Sequence, residues 1–434
     1  MREGQYDCTM LTTLDLRGLG TAAGQALPAL GTPGGDVAEA VSGIIEEVRA
    51  GGDQALLTLT KRFDGVDLER VRVDEAELTA ALSRIPADLR TALEMAWTRI
   101  CAYHAHESEP IGDFSAVGMT VSHLDVPVER AGCYAPGGRA RYPSSVLMCA
   151  GPAVVAGVAE VILCVPPASD GRIDDATLAA AAIAGISEVY AVGGAQAIAA
   201  MALGTETIRR VDVIVGPGNS YVAEAKRQLS GTVGVASSFA GPSEIVVIAD
   251  ESTPPELAAI DLMVQAEHGP DGMAWLVTWI PEIGALVDEQ LTRLVANAPR
   301  RADLEATMAT SGVLCLVDDA ASAAAVSNAV APEHLELLMK DYGAVLGNIR
   351  AAGAVFCGID APATLGDYAA GPNHILPTNR SARFSSALRA DDFRRHIHVV
   401  EVDREGFELL APTVIRLAEA EGLDAHAESI RMRR

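Results

Sequence analysis

The sequence predicts an α/β protein that contains two parallel β-sheets, and three observations support that class. Between residues 160 and 229, three short apolar runs alternate with three helical segments. A second series of strand-like segments begins at residue 244. Hydrophobic residues make up 49% of the 434-residue chain and charged residues 21%, a composition that is typical of a packed protein and excludes a disordered one.

The segment before residue 130 is predicted to be mainly helical. Residues 36–51 and 74–105 carry apolar side chains at helical spacing. Residues 121–128 then alternate between apolar and polar side chains as a strand does, and a turn-rich loop follows at 134–138. We therefore expect a helical N-terminal region that leads into a strand and a turn.

The first sheet is predicted from three apolar runs that end at glycine or proline, at residues 160–165, 188–192 and 211–215. A helical segment follows each run, and this alternation indicates a parallel sheet covered by helices. The second sheet is predicted from four further runs, at residues 244–250, 274–280, 312–317 and 353–356.

The remainder of the chain is predicted to hold a long loop and a small terminal unit. Residues 362–378 show no periodicity, and a long loop inside a compact domain is usually functional. The last fifty or so residues carry a strand candidate at 396–402 and a helix candidate at 412–421.

Charge and composition exclude several classes of partner. The net charge of −25 makes a surface that repels phosphates, so we expect neither nucleic acid nor a membrane as a partner. The first 20 residues lack the apolar core of an export signal, and the seven cysteines form no C-x-x-C pair. These features favour reduced thiols and a cytoplasmic location, where a metal would need histidine and carboxylate ligands.

Two glycine turns are candidates for nucleotide binding. Gly216 and Gly218 lie between a predicted strand and a helix, whose first N–H groups can bind a phosphate. Tyr221 replaces the third glycine of the usual dinucleotide fingerprint, so a plain tight turn is the alternative. A second turn at Gly193 and Gly194 would lie at the same carboxyl edge of the sheet, which favours the nucleotide.

Gln265 and His268 are candidate metal ligands. They lie three residues apart on one predicted helix, so both side chains leave the same face. An amide oxygen and an imidazole would then project together from the helix end. The alternative is a polar cap in which His268 binds the last carbonyl groups.

The adjacent residues Glu333 and His334 suit proton transfer, because histidine titrates near neutrality and burial can raise the pKa of a glutamate. The alternative is an exposed, charged first turn of a helix after Pro332. Asp367 and His374 in the long loop are candidate ligands or substrate contacts, or else they only stabilise the loop by hydrogen bonds.

Taken together, these segments closely resemble the histidinol dehydrogenase family. The segments that carry the resemblance are, in order, Tyr134–Gly138, Gly194–Ile198, Gly216–Asn219, Ala240–Glu244, Gln265–Gly269, Pro332–His334, Gly366–Tyr368, Asn373–His374 and Glu421–His426. The resemblance runs from about residue 30 to residue 427, and several motifs in one order are far more specific than any one of them.

The resemblance implies a zinc-dependent, four-electron oxidation of L-histidinol to L-histidine through L-histidinal with two NAD, the last steps of histidine biosynthesis. It also implies a homodimer in which the C-terminal segment reaches the other subunit. We expect two Rossmann-like α/β domains, a helical N-terminal region and a small tail domain. The expected division is a segment 1–30, a first domain of 31–133 with 242–381, a nucleotide-side domain 134–241 and a tail 382–434.

The resemblance further implies a role for each matching residue. Glu333 and His334 would be the catalytic acid–base pair. One zinc ion per subunit would be held by Gln265, His268, Asp367 and His426. The substrate would contact Ser243, Gln265, His268, His334, Asp367, His374, Glu421 and His426. The NAD would contact Tyr134, Gln196 and Asn219.

Three other functions stay open. The first is an NAD-dependent dehydrogenase of the same family that acts on another small polyol or amino alcohol. The second is a zinc hydrolase in which Glu333 and His334 activate water without a redox step. The third is a metal-binding module without activity, which an intact acid–base pair argues against.

Overall fold

The structure, a computed structural model, describes residues 10–28, 37–108, 112–137, 141–236, 243–267 and 272–434. Its strands are β1 (Thr12–Asp15), β2 (Phe114–Ala116), β3 (Met119–Pro127), β4 (Arg130–Tyr134), β5 (Glu160–Val165), β6 (Glu188–Ala191), β7 (Val213–Val215), β8 (Gly234–Val235), β9 (Glu244–Ala249), β10 (Met273–Thr278), β11 (Gly312–Leu316), β12 (His334–Leu338), β13 (Ala354–Cys357) and β14 (Arg394–Val402).

The α-helices in the same part of the chain are α1 (Ala38–Asp64), α2 (Glu75–Arg84), α3 (Ala87–Glu107), α4 (Pro143–Ala156), α5 (Asp175–Ile183), α6 (Gly194–Leu203), α7 (Ser220–Leu229), α8 (Pro255–Ala266), α9 (Pro281–Ala296), α10 (Arg301–Ser311), α11 (Ala320–Val330), α12 (Gly343–Leu346), α13 (Ala363–Tyr368), α14 (Arg404–Ala420) and α15 (Asp424–Arg431). None of these helices has the length and apolar composition that crossing a bilayer requires.

Two parallel sheets form the body of the molecule, as the sequence predicts. The larger sheet has the strand order β1-β11-β10-β9-β12-β13, and the smaller has the order β6-β5-β4-β7-β8. Every pairing in both sheets is parallel. Apart from the N-terminal edge strand β1, the chain enters each sheet at a central strand, β9 or β4, fills one side and then crosses to the other.

The N-terminal helices cover the smaller sheet. Leu56 of α1 shares a buried cluster with Tyr190 of β6, and Ile100 of α3 shares another with Ala131 of β4. The predicted division groups residues 31–133 with the larger sheet, and the structure differs because the apolar faces of these helices are buried on the smaller one. The segment before residue 31 contributes β1, which pairs with β11 at the edge of the larger sheet.

The tail forms a unit of its own. Strand β14 pairs antiparallel with β3, and β2 completes a three-stranded sheet. Helices α14 and α15 follow, and the backbone N–H of Asp403 before α14 donates to the carbonyl of Gly118 in the β2–β3 turn. The strand and helix predicted for the last fifty residues are therefore confirmed.

Two predictions for the larger sheet need correction. The exposed helical turn considered for residues 332–336 is wrong, because these residues lead into β12, a buried strand between β9 and β13. The loop predicted at 362–378 is interrupted by the short helix α13, whose first N–H group is held by Glu336 of β12.

Candidate active site

The candidate active site lies at the edge of the larger sheet where strands β9 and β12 begin. These strands are parallel neighbours, and His334 is opposite Ile245 in their register. Glu244, the first residue of β9, therefore lies beside Glu333 and His334. All three side chains are buried, so their charges act on one another in a region of low dielectric constant.

Hydrogen bonds fix the orientation of the Glu333–His334 pair. Oε2 of Glu333 accepts the backbone N–H of Glu244 at 3.1 Å and lies 3.5 Å from Nδ1 of His334. The same Nδ1 is 3.2 Å from the carbonyl oxygen of Glu244. Since a carbonyl oxygen can only accept, Nδ1 carries the proton and Nε2 is the nitrogen that can exchange a proton with a substrate.

Asp367 joins this pair from helix α13. Its Oδ1 lies 3.5 Å from Nε2 of His334, and the ring of Phe356 stacks on the same imidazole with centroids 6.1 Å apart. Burial opposes a charged imidazole, but the carboxylates of Glu333 and Asp367 outweigh it and raise the pKa of His334 well above its ordinary value. The site therefore stabilises the imidazolium that forms when His334 receives a proton.

His374 orients Asp367 and connects the two halves of the molecule. Its Nδ1 is 2.9 Å from the backbone carbonyl of Asp367, and its Nε2 is 3.3 Å from Oγ of Ser145 on α4. Burial lowers the pKa of His374, which favours a neutral ring that donates from Nδ1 and accepts at Nε2. Because α4 covers the smaller sheet, this loop residue joins both sheets.

Glu244 is a functional candidate that the sequence reasoning did not single out. Burial and the nearby Glu333 raise the pKa of Glu244 to about 8. Its Oε1 accepts the backbone N–H of Asn379 at 2.9 Å, while its Oε2 has no donor among the described residues. The available signal was its position directly after Ser243 at the start of a predicted strand, and Ser243 itself lies at the same edge.

The predicted metal ligands are only partly described. Gln265 is buried near the end of α8, and its Nε2 has no acceptor in the described part of the chain. His268 lies outside the described residues. His426 on α15 is exposed in the tail, as is Glu421 at the end of α14. In the described ranges no group of three or more His, Cys, Asp or Glu side chains is placed to hold a metal ion.

A cavity of about 1070 Å³ lies at the carboxyl edge of the smaller sheet. All three residues predicted to contact NAD line it: Tyr134 at the end of β4, Gln196 in the first turn of α6, and Asn219 at the start of α7. The hydroxyl of Tyr134 accepts the backbone N–H of Gly194 at 3.0 Å. The structure thus brings together side chains that follow three different strands.

Glycine and asparagine shape the turn beside this cavity. Gly216 has φ of +115°, and a Cβ there would lie 2.0 Å from the carbonyl oxygen of Tyr134. Oδ1 of Asn219 accepts the N–H groups of Tyr221 and Val222, both at 3.1 Å, and so caps α7. Asn219 therefore both caps α7 and lines the cavity.

Comparison with known proteins decides the family. The family model described as histidinol dehydrogenase matches residues 32–434. The chain belongs to the histidinol dehydrogenase family. The histidinol dehydrogenase of Parasynechococcus marenigrum is 45% identical over 399 residues, which cover 92% of this chain and 91% of the relative. That of Syntrophotalea carbinolica is 43% identical over 432 residues and 98% of each chain.

A solved structure of the family agrees with the fold. The crystal structure of histidinol dehydrogenase from Elizabethkingia anophelis superposes with a TM-score of 0.93 at 35% sequence identity, and 98% of each chain is covered. The predicted fold class, with two parallel-sheet domains, helices and a small tail, is therefore confirmed for this member of the histidinol dehydrogenase family.

Proposed function

We propose that the protein oxidises L-histidinol to L-histidine through L-histidinal, with two NAD and one zinc ion per subunit. The observation that carries this proposal is the convergence of Glu333, His334 and Asp367 at one edge of the larger sheet in a member of the histidinol dehydrogenase family. His374 links this group to α4, which begins close to the cavity of the smaller sheet.

The donor set fits zinc, which accepts nitrogen and oxygen ligands. Gln265, His268, Asp367 and His426 would hold the ion. Gln265 would bind through its amide oxygen, and its side chain is buried at the end of α8 with no acceptor for its nitrogen among the described residues. Zinc has no redox chemistry, so when bound it would orient the substrate and polarise it as a Lewis acid.

His334 would act as the base in the first oxidation, and Glu333 would act as the base in the second. NAD accepts a hydride in each step. In the first, Nε2 of His334 in its neutral form would take the hydroxyl proton of histidinol, and the neighbouring carboxylates would stabilise the imidazolium that results. In the second, Glu333 would remove a proton from the water that adds to the aldehyde. Ser243, His374 and Glu421 would complete the substrate contacts, with Glu421 facing the substrate ammonium group.

A homodimer with exchanged tails is part of the proposal. The tail sheet and its helix expose large apolar side chains, including Leu124, Val400 (59% exposed) and Leu417 (60% exposed). Contiguous exposed apolar surface commonly marks an interface with another protein. A second copy of the chain would cover this surface and deliver Glu421 and His426 to the first. The proposal also includes a cytoplasmic location, which fits the free thiols of the described cysteines.

Mixing two inactive variants tests the exchange of tails. His334→Asn removes the base from the body, and His426→Asn removes the ligand from the tail. If sites are shared, a mixed dimer has one site with both residues intact, so random mixing restores about one quarter of the wild-type rate. No recovery after subunit exchange would show that each chain builds its own site.

The reaction is tested by NADH formation from L-histidinol, with and without a zinc chelator. We expect about two NADH per histidinol and loss of activity with the chelator. A zinc hydrolase would form no NADH. A dehydrogenase for another small polyol or amino alcohol would show a higher kcat/KM on that compound at equal NAD.

A further inference from the structure

Two acidic side chains face each other in the interior behind the candidate active site. Glu336 on β12 is 2% exposed and Asp261 on α8 is 9% exposed. Burial and the facing carboxyl of Asp261 raise the pKa of Glu336 to about 8, and burial also raises the pKa of Asp261. Two carboxyl groups in such contact are stable when they share one proton.

Glu336 holds the start of the helix that carries Asp367. Its Oε1 accepts the backbone N–H of Ala363, the first residue of α13, at 2.5 Å. Further along α13, a Cβ at Gly366 would lie 2.5 Å from the ring of Phe356, so the helix is pressed against the neighbouring strand. These two contacts set the position of α13 and therefore of the Asp367 carboxylate.

Asp261 brings the same pair next to Gln265. The two residues are four apart on α8, so they lie on one face with Cβ atoms roughly 5–6 Å apart. Nε2 of Gln265 is buried without an acceptor, and Oε2 of Glu336 is buried without a donor, among the described residues. Asp261 and Glu336 are hydrogen-bond partners of each other, so Asp261 supports the carboxyl group that holds Ala363, one turn of α8 before Gln265.

We propose that Asp261 and Glu336 are positioning residues for the proposed metal ligand Asp367. The pair holds the start of α13 through the backbone N–H of Ala363, so that Asp367 meets the ion. Groups that fix the element carrying a ligand also fix the orientation of that ligand. This inference rests on the proposed zinc site.

Zinc affinity of the full-length protein, measured by competition with a colorimetric zinc chelator, tests the pair. We expect Asp261→Ala and Glu336→Ala to lower the affinity by about 10- to 100-fold, the effect typical of losing such a partner. Glu336→Gln should restore nearly wild-type affinity, because its amide oxygen still accepts from Ala363 and its NH₂ group donates to Asp261.

Asp288→Ala is the matched control. Asp288 is also a buried carboxylate in the larger-sheet region, but it accepts the backbone N–H groups of Met10 and Leu11, away from the site. Its loss should lower the unfolding temperature of the metal-free protein and leave zinc affinity unchanged.

The outcomes separate this inference from the proposed function. If the wild-type protein binds no zinc, the proposed function fails first. If the wild type binds zinc and Asp261→Ala binds it equally well, the pair is only structural and the inference is overturned. Equal losses in Glu336→Gln and Glu336→Ala would also overturn it. If Glu336→Ala does not fold, Asp261→Ala decides, since alanine is well tolerated in a helix.

Discussion

The two parallel sheets have the same order of strand connections, but their candidate sites lie at opposite edges. The site of the smaller sheet is at the carboxyl ends of its strands, and that of the larger sheet is at the amino ends. In the smaller sheet the cavity lies where β4, β6 and β7 end, the edge at which open α/β sheets usually bind ligands. In the larger sheet the proposed acid–base pair, Glu333 and His334, lies where β9 and β12 begin. The carboxyl edge offers glycine turns and helix N-termini, whereas the amino edge of the larger sheet offers buried side chains with shifted pKa values.

We infer from this difference that backbone groups bind the ligand at one edge and that side chains transfer protons at the other. A cofactor that recurs in many enzymes can be held by N–H groups, which any sequence supplies at the start of α6 or α7. Proton transfer needs titratable groups whose pKa values are tuned by burial and by neighbouring charges, as those of Glu244 and His334 are. Variants at each edge should therefore fail in different ways.

The largest effects are expected at the amino edge of the larger sheet. His334→Asn and Glu333→Gln should each slow turnover by about 10²–10⁴-fold, because each removes a placed acid–base group. NADH formation measures the rate, and elemental analysis should still find zinc. His106→Asn on the exposed surface of α3 is a control with normal turnover. Near-normal rates in both half-reactions for either variant would refute the role assigned to that residue.

Loss of a proposed metal ligand should abolish zinc binding, whereas the acid–base variants described above should keep it. His268→Asn and His426→Asn each remove one of four proposed donors, and zinc content should fall well below one ion per subunit. Elemental analysis after dialysis measures this. Full zinc occupancy in either variant would contradict the ligand set, and with it the contribution of the tail to the amino edge.

Glu244 should make the free energy of unfolding of the protein depend on pH. An unfolded glutamate ionises near 4.5, whereas the pKa of buried Glu244 is about 8. The folded protein therefore holds the extra proton between these values, and its stability falls as pH rises through that window. Glu244→Gln should match the wild type at pH 4 and exceed its free energy of unfolding by on the order of a few kcal/mol at pH 8.

Denaturant unfolding at a series of pH values measures this effect. The Gln variant keeps the acceptor for the Asn379 N–H group, so the comparison isolates ionisation. A difference between the two proteins that stays constant from pH 4 to pH 8 would show that Glu244 does not hold a proton in the folded state.

At the carboxyl edge of the smaller sheet, we expect the largest losses of stability and NAD binding from substitutions of the glycines that shape the turns. Gly216→Ala adds a Cβ that collides with Tyr134 at a positive φ, and we expect it to destabilise the fold by about 1–3 kcal/mol and to raise KM for NAD. Gly231→Ala is the matched control, with φ of +94° and open space around the added atom. Equal losses of stability in the two variants would contradict this prediction, because they would show that the contact between the added Cβ and Tyr134 does not destabilise the fold.

The smallest effect is expected for Asn219→Asp, a substitution that distinguishes the helix-capping role of Asn219 from its proposed contact with NAD. Aspartate caps a helix as well as asparagine does, so Asn219→Asp should keep the unfolding temperature. It places a negative charge beside the cavity and removes an amide donor, so KM for NAD should rise by about tenfold while kcat changes little. Steady-state kinetics with varied NAD measures this, and an unchanged KM would remove Asn219 from the cofactor contacts.

Local patterns predicted most elements of both sheets. Strands β5, β6, β7, β9, β10 and β11 are apolar runs bounded by turn-forming or polar residues, and burial on both faces of a parallel sheet requires such runs. The strand β12 was missed because Glu333, His334 and Glu336 give it the polarity of a surface turn. Nothing local reveals that these polar groups are buried against Glu244, Asp261 and Ala363, which are distant in the chain.

The order of motifs along the chain was enough to determine the family, and the alternation of apolar runs and helices was enough to predict the two-sheet class. The roles assigned to single site residues stay predictions. Tertiary structure alone decided that Glu333 and His334 lie at the start of a buried strand, and that the nearby carboxyl groups of Glu244 and Glu336 have raised pKa values. The physical reason is that hydrophobic periodicity depends on neighbours a few residues away. The pKa of a buried carboxyl depends instead on solvent exclusion and on charges brought close by the fold.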